Sequence, residues 1–183
     1  MPALTIVRVI TVVSTGLFAG ILLGDRAGAT YARPQLSPSS FVQFQQIVHV
    51  HFVRLMPPLI LAAILAGLTW LLLIRARWRD AEFWLVAAAT GAVLLCLILT
   101  RAVNVPVNEQ LMTWSIATPP CNLRELWAPW ERVHTIRTIA AASAFLSEAV
   151  ALGLCASASA AARGPLREAA FYDAPAVKPS DRS

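Results

Sequence analysis

Four runs of apolar residues, each about as long as a bilayer crossing requires, decide what this chain can fold into. They occupy residues 3–24, 57–74, 83–103 and 136–162. Hydrocarbon offers no water to backbone N–H and C=O groups, so each run must close its own hydrogen bonds as a helix. Composition agrees: 57% of the 183 residues are hydrophobic, 14% are charged, and mean hydropathy is +0.63. Ordinary soluble domains carry about 25% charged residues. The expected fold is therefore all-α, an integral membrane four-helix bundle over residues 1–162 in contact with the lipid bilayer. Residues 163–183 are polar and lack an apolar period, so they are expected to form a disordered cytoplasmic tail.

The first run is broken only by Arg8. A signal peptide is the competing reading, but no Ala-x-Ala cleavage site stands out and three further spans follow, which favours a retained helix. Residues 25–38 break the periodicity, and Ser37 or Ser39 is placed to cap the next helix, with Pro38 suited to its first turn. Between residues 41 and 55, Phe41, Phe44, Ile47, Val48, His51, Phe52 and Leu55 recur at helical spacing against Gln43, Gln45, Gln46 and His49. This is an additional amphipathic helix before the second span, lying on the membrane surface or extending the span outward. Pro57 and Pro58 are expected to kink it.

Charge sets the expected orientation. Arg75, Arg77 and Arg79 crowd one short turn, and with Arg8, Arg163 and Arg167 they put both termini on the cytoplasmic side. A bacterial inner membrane is the expected location. The other Arg residues are dispersed over longer connectors, so the net charge of +5 reads as orientation and not as a nucleic-acid footprint. No Cys-x-x-Cys, Gly-x-Gly-x-x-Gly, Walker loop or His-Glu-x-x-His is present, which argues against thiol–disulfide, nucleotide and zinc-peptidase chemistry.

The stretch richest in chemistry lies between the third and fourth runs, as an ordered extracytoplasmic connector. Asn104 and Asn108 are four apart, so a helix stacks them on one face. Pro106 between them removes a backbone donor and frees carbonyls nearby. The set predicts a polar pocket for a substrate oxygen or an anion, with local Asx capping as the plainer alternative. His134 and Arg137 are three apart at the mouth of the fourth helix, hence neighbours. Glu148, further in, returns to within about 20° of the Arg137 face. His134, Arg137, Ala141, Ala144 and Glu148 thus form one inward stripe. An ionisable group in mid-membrane is a functional candidate by default, and an interhelical hydrogen bond is its alternative. Trp114, Trp127 and Trp130 belong to the interface belt or wall an aromatic site together with Arg132. Trp70, Trp78 and Trp84 read as belt residues only. His49, His51 and His134 admit a metal or haem site, with copper or haem as the cofactor, against the reading of interfacial polar residues.

Asn-Val-Pro-Val-Asn at residues 104–108, followed by Trp-Glu-Arg-Val-His-Thr-Ile-Arg-Thr at 130–138, resembles the small four-span membrane proteins grouped with the anthrone oxygenases. Val-Arg-Leu-Met-Pro-Pro at 53–58 and the four-span layout are also similar, so the resemblance covers nearly the whole chain. Val133 departs from the pattern at a position often held by an aromatic. The resemblance implies oxidation of an anthrone-like polycyclic phenol to a quinone by O₂, with no recognised organic cofactor. It assigns His134 as general base, Arg137, Asn104 and Asn108 to the enolate oxygen, and Trp127 and Trp130 to the rings. A non-catalytic membrane protein binding a partner or lipid is the other class of reading. There the Ala- and Ser-rich fourth helix serves helix association, including a homo-oligomer.

Overall fold

In the computed structural model the chain is all-helical, with four helices long and apolar enough to cross a membrane. The structure describes the backbone of residues 2–172 and the side chains of residues 3–156. The expectation for the tail at 163–183 falls beyond the described side chains, and residues 173–183 lie outside the described residues. The four helical runs are α1 (Ala3–Gln35), α2 (Pro38–Arg77), α3 (Ala81–Met112) and α4 (Leu123–Ala156), the last continuing in backbone to Tyr172.

Each run departs from the sequence reading in one informative way. α1 does not end at Gly24; it passes into a π-helical turn over Asp25–Ala29 and closes with a 3₁₀ turn at Arg33–Gln35. α2 is α-helical without a break over Pro38–Ile74, so the amphipathic segment extends the second span. Pro57 and Pro58 lie inside it. Its start follows the expected chemistry: Ser37 Oγ accepts from the Ser40 amide at 3.2 Å, with Pro38 in the first turn. α3 is α-helical over Ala81–Leu99, π-helical over Thr100–Asn104, and α-helical again over Val105–Met112. Pro106 explains the wider turn. It has no N–H to give, and its ring crowds the carbonyl one turn back, so the ladder widens where the bond is lost. The expected long connector contracts to residues 113–122, and its chemistry-bearing residues lie on helices.

Apolar side chains fill the middle of the bundle, among them Phe18, Ile60, Ile64, Val93 and Ala141. Large apolar residues such as Ile6, Leu17, Leu72, Ile98 and Leu146 point outward, as lipid contact requires. Gly67 lets α2 meet α3: a Cβ there would stand 2.5 Å from Thr90 Oγ1. At the end bearing the Arg75–Arg77 turn, Glu82 is buried and bound by Arg8, by Trp70 Nε1 at 2.9 Å and by Arg77 Nη2 at 2.6 Å. Trp70 is consequently no belt residue; it is fully buried and tied to Glu82, whereas Trp78 and Trp84 are exposed. In the middle, Thr15 Oγ1 donates to Glu148 Oε1 at 3.3 Å.

Candidate active site

The site grows from the first turns of α4. Trp127, Trp130, His134 and Arg137 recur three, four and three residues apart and share one inward face. Trp130 lies between its neighbours one turn either way, stacked on Trp127 at 4.5 Å and on His134 at 4.7 Å between ring centroids. Its faces are therefore occupied from within the chain. Phe41 meets the outer end of this column edge-on at 5.5 Å from Trp127.

Charge reaches the column from α1. His134 Nε2 is 3.1 Å from Asp25 Oδ2, close enough for an ion pair but off the line of an ideal hydrogen bond, and His134 Nδ1 has no partner in the chain. Arg33 pairs with the other oxygen of Asp25 and bonds Glu131 Oε1 at 2.9 Å and Gln45 Oε1 at 3.1 Å. Its guanidinium carbon lies 5.1 Å from the centre of the Trp130 ring. Glu131 Oε1 also accepts from Trp127 Nε1 at 3.0 Å. Asp25 opens the π-helical turn of α1, and this wider winding aims its carboxylate across the bundle at α4. A second π-helical turn does the same for α3. It ends on Asn104, whose Oδ1 accepts from Arg137 Nη1 at 2.8 Å and whose Nδ2 donates to Trp130 O at 3.4 Å. Arg137 Nε is buried and has no hydrogen-bond partner in the chain.

Apart from Phe41 and Glu131, these groups border one cavity of about 160 Å³, close to the roughly 150 Å³ that admits a benzene ring in an engineered protein core. Asp25, Arg33, Asn104, His134 and Arg137 supply its polar wall. Val48, Phe52, Met56 and Val105 supply an apolar one.

The anthrone oxygenase family profile matches residues 44–147, more than half of the chain. The chain belongs to the anthrone oxygenase family. No match was found among curated proteins or among solved structures.

In this anthrone oxygenase family member, four residues singled out in the sequence come together: Asn104, Asn108, His134 and Arg137 all border the cavity. Trp127 and Trp130 border it too, but Trp130 is stacked against His134 and not open to a substrate ring. Trp114 and Arg132 do not line it. Trp114 packs with Leu111, Leu123 and Phe41, because the connector folds back over the end of α2, where Gln46 Nε2 donates to Trp114 O at 3.0 Å. Arg132 is exposed on the outer side of α4. The inward stripe continues as expected through Ala141, Ala144 and Glu148, all buried, yet Glu148 meets Thr15 and does not line the cavity. The three histidines do not gather: His49 lines the cavity, while His51 is exposed on the same helix. No group of three or more His, Cys, Asp or Glu placed to hold a metal ion is found among the described residues.

Sequence reasoning missed Asp25, Arg33, Gln45 and Glu131. Asp25 and Arg33 also precede the family match. The available signal was polar spacing: Arg33 lies eight residues past Asp25, about two helical turns, which keeps both on one side if the helix persists.

Proposed function

We propose that the protein is a membrane-embedded oxygenase that converts an anthrone-like polycyclic phenol to its quinone with O₂. The observation that carries this reading is the His134 imidazole held between the Asp25 carboxylate and the Trp130 ring beside an unpartnered Arg137 Nε. With Asp25 at Nε2, the proton of the neutral ring belongs there, and Nδ1 is left as the acceptor. His134 takes a proton from the substrate methylene, which the ring carbonyl has acidified, and an enolate forms. Arg137, oriented by Asn104, donates to the enolate oxygen, with Asn108 beside it. The electron-rich carbon then reduces O₂, the C–O bond forms, and the peroxide recovers the proton. Loss of water from that hydroperoxide, with the second methylene hydrogen, leaves the carbonyl. One O₂ is consumed and one water released for each methylene oxidised. The apolar wall accepts one ring, as a cavity of about 160 Å³ allows, with the rest of the substrate extending through its open side, and hydrocarbon around the bundle dissolves both reactants.

The same reading keeps both termini and the Arg75–Arg77 turn cytoplasmic and the cavity toward the opposite leaflet, supported by the arginine distribution. The deciding experiment is anthrone turnover by the purified protein in lipid, followed by quinone absorbance. His134→Ala should lose about 10²–10⁴-fold in kcat, the usual contribution of a general base, with expression intact. Unchanged turnover removes His134 from the chemistry. A Soret band or stoichiometric copper in the active preparation would move the reading to a haem or copper redox protein.

A further inference from the structure

We infer that the cavity opens sideways through a window between α2 and α3 at the lipid–water boundary, and that its substrate enters from the bilayer. This rests on the oxygenase reading for the chemical class of the entrant, an amphipathic planar aromatic.

One face of α2 carries the argument. Gln46, Val53, Pro57, Ile60, Ile64 and Gly67 fall within about 80° of one another on a helix. At one end of this face Gln46 Nε2 donates to Leu111 O and Trp114 O, both at 3.0 Å, tying α2 to the end of α3. At the other end Ile60 and Ile64 are buried, and Gly67 is in contact with Thr90 of α3. Between the two ties, on the same face, Val53 is 53% exposed and Pro57 is exposed as well. Both line the cavity, and every other lining residue is buried or half-buried. A helix face covered above and below and open between is a window. Opposite it stand Thr100, Val105 and Asn108, on and next to the π-helical turn of α3.

Depth follows from helix length. Counting about 20 residues back from the basic turn at Arg75 places the far hydrocarbon boundary near residue 55. Arg54 is exposed beside it, where its side chain reaches the headgroups. The window thus lies where headgroups meet acyl chains. Molecules with apolar rings and a polar hydroxyl collect at that level, as Tyr and Trp side chains do. From the rim inward the lining changes from Val53, Pro57 and Met56 to Asn104, His134 and Arg137, so a phenol enters rings-in-oil and ends with its oxygen among donors.

The test is ligand association, which needs no turnover. A dihydroxyanthraquinone is mixed with the full chain in vesicles, and stopped-flow quenching of tryptophan fluorescence reads the rate. The rate should follow the quinone's mole fraction in the bilayer. Val53→Phe combined with Pro57→Phe should slow association by about tenfold. Val53→Ala should speed association. Leu55→Phe, on the opposite side of the same helix and 50% exposed before substitution, should change nothing. The window is overturned if the blocked variant associates at the wild-type rate, if Leu55→Phe slows it equally, if Val53→Ala has no effect, or if the rate follows aqueous concentration. It is also overturned if the wild-type chain binds no quinone. Window-dependent binding with no anthrone turnover overturns the oxygenase reading instead and leaves the route of entry standing.

Discussion

His134 has two neighbours that fix its ring: Trp130 on its face and Asp25 at Nε2. An imidazole so placed has little rotational freedom, and Asp25 decides which nitrogen carries the proton. Asp25→Asn keeps the shape but offers Nε2 a mixed donor and acceptor, so the other tautomer becomes available. Its kcat should fall by about 10²-fold, the lower end of what a general base contributes. The KM should move little, because the carboxylate is spent on His134 and Arg33 and not on the substrate. An equal rise in KM with kcat preserved would mean that Asp25 binds substrate and does not position the base. At this scale the sequence was only half readable. The helical repeat from His134 to Glu148 carries through to burial because a regular helix obeys its period. Asp25 and Arg33 did not announce themselves, because a carboxylate and an arginine after an apolar run also describe an ordinary connector.

At the scale of elements, the two π-helical turns and the α2–α3 contact set the geometry. Gly67 is required where α2 meets α3, since a Cβ would come within 2.5 Å of Thr90 Oγ1. Gly67→Ala should therefore destabilise the bundle by about 1–3 kcal/mol, the usual cost of overpacking. Thr90→Ala, which removes the opposing hydroxyl and methyl, should restore much of that loss in the double variant. Thermal unfolding in detergent reads both, and strict additivity of the two substitutions would refute the contact. Spans were legible from hydropathy alone, but helix ends were not. Hydropathy records where hydrocarbon begins, whereas α1 and α3 continue as helices well past that level. Pro57 and Pro58 lie inside α2, where the α-helix runs from Pro38 to Ile74. Pro106 behaved as its chemistry dictates, but through a widened turn that no spacing rule marks in advance.

Across the whole molecule, buried polar groups fall in separate layers. The cavity layer keeps unpartnered nitrogens on His134 and Arg137, while the layer at the opposite end gathers Arg8, Trp70 and Arg77 around one carboxylate. That second layer joins α1, α2 and α3 and contributes nothing to the cavity lining, so it should govern stability without governing turnover. Glu82→Ala leaves Arg8 without its carboxylate in a low-dielectric setting, and breaking a buried pair in this way costs about 3–5 kcal/mol. The thermal midpoint should drop, while kcat per folded molecule stays at the wild-type value. Arg8→Leu added to Glu82→Leu should recover part of the loss, because removing the whole pair leaves no buried charge behind. A Glu82→Ala chain that unfolds normally but turns over slowly would show the two layers to be coupled through the bundle. In that case the Thr15–Glu148 contact between them is the place to look, since it joins α1 to α4 at mid-depth.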